Sequence, residues 1–225
     1  MCEILALRAE QPFSLREVLP YAQLLEKYGL AGYGWGVSWV SSSGVETVKS
    51  LGQINRLSQH ESANLDVETR VCLFHLRRPS LLSGVKIENT QPFSPEAKNL
   101  AFVHNGFLAE AEKWRSEFES VLQGTVDSEV GFQLYLHHLE SSDSKLALAK
   151  TLDETRGDGD ANVVVLNQDG SFTAAGRNAK NRMFQFTSER FSGIVTEVHS
   201  PDDYVFHHLL PWIEKREQVL EPVVI

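Results

Sequence analysis

Apolar and polar residues change their spacing several times along this chain, and each change marks an element. Glu3–Arg8 is a near-continuous apolar run that predicts a strand starting directly after Cys2. From Ser14 the spacing becomes helical. Ser14 is placed to cap a helix through Lys27, Gly29 to stop it and Pro20 to break or kink it. Trp35–Val40 and Val45–Lys49 predict a strand pair joined by the turn Ser41–Gly44. Arg70–Leu76 reads as a buried strand, because Val71, Cys72, Leu73 and Phe74 are continuously apolar. Leu100–His104 is a short strand running into Asn105-Gly106. Helical spacing returns over Ala109–Leu122, Ser128–Leu139 and Lys145–Thr155. The last third alternates again: Ala161–Asn167 and Ser171–Gly176 flank Asp169-Gly170, a strong hairpin signal. Met183–Thr187 and Ser192–Thr196 continue as strands. Asp202–Leu210 predicts a helix ended by Pro211, and Pro222–Ile225 an edge strand. Strands first, helices in the middle and strands last suit an α+β domain in which two antiparallel sheets pack face to face between helical layers.

Composition narrows the class. A chain of 225 residues with 42% hydrophobic and 23% charged residues is long enough for one sizeable core, here a single domain over residues 2–225. The net charge of −9, without a basic cluster to offset it, argues against nucleic acid and anionic membrane surfaces as partners. No stretch approaches the roughly 18–20 apolar residues of a membrane span. The start lacks the basic and apolar regions of a secretory signal. Two cysteines, Cys2 and Cys72, make no disulfide framework, so a reducing cytoplasm is the expected compartment. The softest region, Arg78 to Asn99, carries Pro79, Pro92 and Pro95.

Cys2 is the strongest chemical candidate. Removal of Met1, which a small second residue favours, would leave a thiol and a free α-amine on one Cα. The amine, with a reference pKa of about 7.7–8.0, then serves the thiol as base near neutral pH. Asn105-Gly106 supplies a candidate oxyanion hole, the Asn amide and the Gly N–H being its donors, although Asn-Gly is also a common turn dipeptide. Arg77, at a strand exit, suits a substrate carboxylate, or else a structural ion pair. Asp127, at or near a helix N-cap, satisfies free N–H groups or receives a substrate ammonium. Gly34-Trp35-Gly36 lacks the Lys-Ser/Thr tail of a phosphate loop, and its glycines suit close backbone approach beside the N-terminal strand. His75 and His104 read as hydrogen-bonded core residues. His137-His138 point to different faces of one helix. Asp202, Asp203, His207 and His208 have ligand-like spacing, but nothing elsewhere completes a metal site. The chemistry calls for neither metal nor cofactor.

In chain order these segments resemble the class II glutamine amidotransferases, members of the N-terminal nucleophile hydrolases, and most closely their small stand-alone branch. Met1-Cys2-Glu3-Ile4-Leu5 is similar to that branch's opening and Gly34-Trp35-Gly36 to its Gly-Trp-Gly. His75-Leu76-Arg77 is similar to its His-x-Arg, Glu88-Asn89-Thr90-Gln91-Pro92-Phe93 to its Asn-Thr-His-Pro-Phe, His104-Asn105-Gly106 to its His-Asn-Gly and Asp127-Ser128-Glu129 to its Asp-Ser/Thr-Glu. The resemblance implies a four-layer αββα sandwich. It implies Cys2 as nucleophile with its own amine as base and Asn105 and Gly106 as oxyanion hole. It makes Arg77 the holder of the substrate α-carboxylate and Asp127 of its α-ammonium, with Gly34, Trp35, Gly36 and His104 in support.

The implied activity is cleavage of the γ-carboxamide of glutamine or a γ-glutamyl amide through a γ-glutamyl thioester. Three positions depart from the family. Gln91 stands where the family has His. Tyr33 precedes Gly34 where an acidic or polar residue is common. The loop Arg78-Pro79-Ser80-Leu81-Leu82-Ser83-Gly84 is slightly longer and carries Pro79. Because this loop contributes to the substrate pocket, the change points to an amine other than ammonia as leaving group. The 225 residues leave no room for a synthetase domain, so an ammonia acceptor would be a separate protein. A silent module that binds γ-glutamyl compounds is the alternative, and the nucleophile, oxyanion pair and Arg77 argue against it.

Overall fold

Among the described residues of the computed structural model, eleven strands and a few helices follow most of the predicted periodicities. Residues 2–97, 99–199 and 203–225 are described. Met1 and Asp202, on which the expectations of N-terminal processing and of a helix start and metal ligand rested, lie outside them. The long sheet has the order β10-β8-β9-β1-β4-β2-β3 and the short one β11-β7-β6-β5. The first contains β1 (Glu3–Ser14), β2 (Trp35–Ser41), β3 (Gly44–Ser50), β4 (Glu68–Leu76), β8 (Met183–Thr187), β9 (Ser192–Thr196) and β10 (Lys215–Gln218). The second contains β5 (Leu100–Gly106), β6 (Ala161–Asn167), β7 (Phe172–Gly176) and β11 (Val223–Val224). Every described pairing is antiparallel.

Strand alternation builds the layers. Ile4 and Ala6 of β1 and Val71 and Leu73 of β4 meet Ala101, Val103, Val164, Phe172 and Ala174 of the short sheet between the sheets. The opposite faces of the same strands, including Leu5, Leu7, Cys72 and Phe74, pack under α1 (Leu15–Tyr28). The outer face of the short sheet, with Phe102, Val163 and Val165, packs under α4 (Asp127–Leu139) and α5 (Ser144–Thr155). The result is the αββα sandwich. Among the described residues no helix is long and apolar enough to cross a membrane.

The helix starts show where local signals held. Ser14 Oγ accepts the Arg16 N–H at 3.2 Å, and Gly29 caps the other end of α1. The helix runs on through Pro20. The expected helix over 109–122 is instead a 3₁₀ turn at Ala111–Trp114 and a single turn, α3 (Arg115–Phe118). The N–H groups of Ala109 and Glu110 donate to Arg156 and Thr155 and tie the start of the stretch to the end of α5, while Ala111 and Lys113 close i→i+3 bonds to Leu108 and Glu110. The expected helix ending at Leu210 is a π-helical segment, Val205–Leu209. A short helix, α2 (Gln59–Asn64), is held by a capping box between Ser58 and Glu61.

Phe172, fully buried between the sheets, tests this layering. Phe172→Ala is expected to lower unfolding free energy by about 3–5 kcal/mol in urea titration. A loss below about 1 kcal/mol would show that the sheets do not close there.

Candidate active site

One end of the inter-sheet layer is polar, and the alternation places its residues. On β1, Cys2 is in phase with Ile4 and Ala6; on β4, His75 and then Arg77 follow Val71 and Leu73; on β5, Asn105 follows Ala101 and Val103. On β6, Asn162 is in phase with Val164 and Leu166, and on β2, Gly36 lies between the outward-facing Trp35 and Val37. Register brings these positions to the same end: Glu3 pairs with Leu76, Gly36 with His75, and Asn105 with Asn162.

Cys2 is half-buried, and its Sγ lies 3.3 Å from the Arg78 N–H, which donates to it. Burial pushes the thiol pKa up, while the Arg78 N–H and the nearby Arg77 charge oppose the rise. Raised above the ordinary thiol value, the group stays in its neutral form near neutral pH. Asn105 is fully buried at the end of β5, and neither Oδ1 nor Nδ2 has a hydrogen-bond partner. A buried amide with both ends unpaired is a donor held ready for a group that arrives. Gly106 follows at φ 139°, and a Cβ there would lie 1.7 Å from the Asp160 carbonyl oxygen, so no other residue fits this strand end.

Arg77 is 3% exposed, with Nη2 donating to the Gly84 carbonyl at 2.6 Å and Nη1 unpaired. Burial lowers its pKa and the Cys2 side chain acts against that. Asn89 Nδ2 donates to the same Gly84 carbonyl at 3.1 Å, and Asn89 Oδ1 accepts the Thr125 N–H at 2.8 Å. This bracket ties the loop after β4 to the start of α4, where Asp127 stands. Asp127 is not the helix cap: Val126 holds that position without a side-chain bond. Asp127 Oδ2 instead accepts the Leu108 N–H at 2.8 Å, two residues past Gly106. Glu129 takes the N–H groups of Gln123 and Gly124 and so shapes the turn before the helix.

The supporting residues divide. Gly34 has φ 120°, and its carbonyl accepts the Arg77 N–H at 2.8 Å. A Cβ at Gly36 would lie 2.3 Å from the Gln91 carbonyl oxygen, so this glycine admits the 91–92 segment rather than the N-terminal strand, which does not pair with β2. Trp35 and His104 point away from the polar end. Trp35 packs under α1, and His104 Nδ1 lies 2.9 Å from Ser128 Oγ on α4. Gln91, where the family has His, accepts the His104 backbone N–H through Oε1. His75 is buried, and desolvation first, then the neighbouring Arg77 and His104, lower its pKa to about 3, so it is neutral. His138 lies beside Glu154, and Asp203 beside Arg182 and Arg216. A cavity of about 1330 Å³ lined by Arg8, Glu68, Arg70, Asp169 and Arg190 lies at the far end of β1 and contains none of the candidate residues.

Two residues at the polar end, Asn162 and Asn181, carried no motif. Asn162 Nδ2 donates to the Asn181 carbonyl at 2.7 Å, and Asn181 Nδ2 donates to the Cys2 carbonyl and to Glu3 Oε2, each at 3.1 Å. The available signal was an isolated Asn inside the apolar run Ala161–Asn167.

A sequence model of the family described as "Glutamine amidotransferases class-II" matches residues 1–201. Among curated proteins, the chain is 30% identical over 138 residues to a glutamine–fructose-6-phosphate aminotransferase (isomerizing) of Fusobacterium nucleatum, covering 59% of this chain and 22% of that protein. It is 26% identical over 164 residues to an amidophosphoribosyltransferase of Methanocaldococcus jannaschii, covering 70% of this chain and 34% of the other. The chain thus spans well under half of each. Among solved structures, the glutamine phosphoribosylpyrophosphate amidotransferase from B. subtilis has TM-score 0.75 at 16% identity, over 100% of this chain and 47% of that one. A glutamine aminotransferase class-II domain protein from Silicibacter pomeroyi has TM-score 0.59 at 18% identity, over 87% and 88%. These structural likenesses carry the fold.

Gly106→Ala is expected to cost on the order of 1–3 kcal/mol from backbone strain alone, read as a lowered melting temperature. An unchanged melt would mean that the 105–106 strand end is not held as described.

Proposed function

Because the chain belongs to the class II glutamine amidotransferases, an enzyme family, we propose that it cleaves the γ-carboxamide of glutamine or a γ-glutamyl amide through a thioester on Cys2. One observation carries the reading. Two buried donors, the Asn105 amide and Arg77 Nη1, stand unpaired at the end of the inter-sheet layer where Cys2 begins its strand.

In this mechanism Met1 is absent, and the Cys2 α-amine takes the thiol proton as sulfur attacks the γ-carbonyl carbon. The carbonyl π electrons move to oxygen, where the Asn105 amide and the Gly106 N–H stabilise the charge. The tetrahedral adduct collapses, the C–N bond breaks, and the leaving nitrogen carries off the proton held by the amine. Water then attacks the thioester with the amine again as base, releasing the γ-carboxylate and restoring the thiol. Arg77 Nη1 holds the substrate α-carboxylate and Asp127 its α-ammonium, at about 1.5–3 kcal/mol for each charged hydrogen bond. Leu81 and Leu82, both largely exposed on the loop after Arg77, give that loop an apolar surface and favour a substituted amide. Delivery of ammonia to a separate acceptor protein is the second reading, favoured by the synthetic enzymes among the curated relatives.

Mass spectrometry of purified protein is expected to show an N-terminal Cys2 and, with substrate, a γ-glutamyl adduct on it. Cys2→Ala should abolish turnover of glutamine and of γ-glutamyl amides. Full activity in Cys2→Ala would sink the mechanism. Arg77→Lys is expected to lower kcat/KM roughly 10- to 100-fold, mostly through KM, because Lys loses the planar fork. An unchanged KM would remove Arg77 from substrate binding.

A further inference from the structure

One buried polar cluster beside the nucleophile is unused by the chemistry above. Glu3 is fully buried, and a Cβ at Gly29, the C-cap of α1, would lie 2.9 Å from Glu3 Oε1. Glu3 Oε2 accepts from Thr196 Oγ1 at 2.7 Å and from Asn181 Nδ2 at 3.1 Å. Burial pushes the Glu3 carboxyl up to about 7 against those two bonds and a weaker one from the Val198 backbone N–H. The negative end of the α1 dipole also disfavours its charge. Among the described residues three buried acceptors here have no hydrogen bond of normal geometry: Glu3 Oε1, Asn181 Oδ1 and Asn162 Oδ1. Buried polar atoms are nearly always paired, so the cluster is short of donors.

The missing donor is one covalent step away. Asn181 Nδ2 holds the Cys2 carbonyl oxygen, and backbone geometry puts the Cys2 nitrogen about 2.5 Å from that carbonyl carbon. As an internal residue Cys2 has one backbone N–H. As the N-terminal residue it has an amine or ammonium rich in donors and carrying charge. We propose that Glu3, with Asn181 and Asn162, cradles the free Cys2 α-amine, Glu3 being its positioning residue and counter-charge. The proposal rests on the reading of Cys2 as an N-terminal nucleophile. A carboxylate within reach of the ammonium stabilises its charged form, and the two groups then titrate as a pair. The other titratable and charged groups around the cluster are the Cys2 thiol, Arg77 and Arg78 after β4, Lys180 before β8, and Glu197 and His199 after β9. Glu26 and Lys27 belong to the last turn of α1, where Glu26 is engaged by the Ile54 and Asn55 N–H groups.

The test uses the full chain with Cys2 confirmed by mass as its first residue. The acid limb of kcat/KM against pH is compared between the natural protein and Glu3→Gln. Removing the carboxylate charge lowers the amine pKa, so the limb is expected to move down by about one pH unit, a roughly tenfold relative gain on the acid side. A purely structural role would change kcat or melting temperature and leave the limb in place, which overturns the proposal. A second measurement needs no variant. With ¹⁵N-cysteine only Cys2 and Cys72 are labelled, and the Cys2 amine is expected to titrate in two coupled steps. A single step at the ordinary α-amine value of about 7.7–8.0 overturns the cradle. If coupling is seen but no γ-glutamyl adduct forms, the functional reading fails and the cradle stands. An adduct with an unshifted limb and a single-step titration overturns the cradle alone.

Discussion

The pairing of β1 with β4 decides where everything else can be. Glu3 lies opposite Leu76, and the register runs unbroken to Arg8 opposite Val71. Residue 2 therefore meets the segment just past β4, where the Arg78 N–H reaches its sulfur. A slip by one residue would turn every side chain of β1 to the other face. Ile4 and Ala6 would leave the inter-sheet core, and Cys2 would face α1. Both faces of β1 are buried against different layers, and β9 pairs its other edge. Burying one such aliphatic side chain is worth about 1.5–3 kcal/mol, and a slip would disturb several at once. The hydrophobic pattern of a single strand thus aims the thiol.

The same burial leaves the polar end under tension. Desolvation raises the thiol pKa, lowers that of Arg77 and leaves the Asn105 amide without partners. Each unpaired buried group costs about 1–3 kcal/mol in the free protein. Under the proposed mechanism, a substrate that pairs these groups, and a transition state that pairs them better, would recover that cost at the reacting centre. Full satisfaction by neighbouring side chains would make a more stable protein with nothing left to bind an oxyanion. Gly106 makes this local. Its φ of 139° ends β5 against the Asp160 carbonyl and leaves Asn105 as the last side chain on the inter-sheet face.

Much of this was legible in residue order because the signals are local. Ser14 and Gly29 bound α1 as their chemistry dictates, and Asp169-Gly170 turns the β6–β7 hairpin. Cys2, Arg77, Asn105 and Gly106 stood out as candidates because their motifs follow in family order, each being weak alone. What failed depended on partners far away in the chain. The 109–122 stretch has helical spacing, but its start is tied to the end of α5 and its next bonds close as i→i+3 turns. Lys215–Gln218 carries no apolar residue and is a strand only because β8 offers an edge. Asp127 looks like a cap until Leu108 is seen to claim it. Asn181 lies in an irregular stretch with no period, and only the fold shows that it reaches Cys2.

Cys2 stands at the end of the long sheet, and Asn105 and Gly106, the proposed oxyanion donors, stand on the short one, so the polar end joins the two sheets. Apolar packing between Ile4, Ala6, Val103 and Val164 sets their spacing but is nondirectional. The directional link is a hydrogen-bond chain. Asn105 is paired across the ladder with Asn162, Asn162 donates to the Asn181 carbonyl, and Asn181 donates to the Cys2 carbonyl and to Glu3. In the proposed reaction, Asn162, Asn181 and Glu3 would hold Asn105 and Gly106 in place relative to the Cys2 sulfur. Strand interiors are committed to packing, so both the reacting groups and their positioning groups collect at strand ends. There, segments distant in sequence, beginning at residues 2, 77, 105, 162 and 181, close on one another.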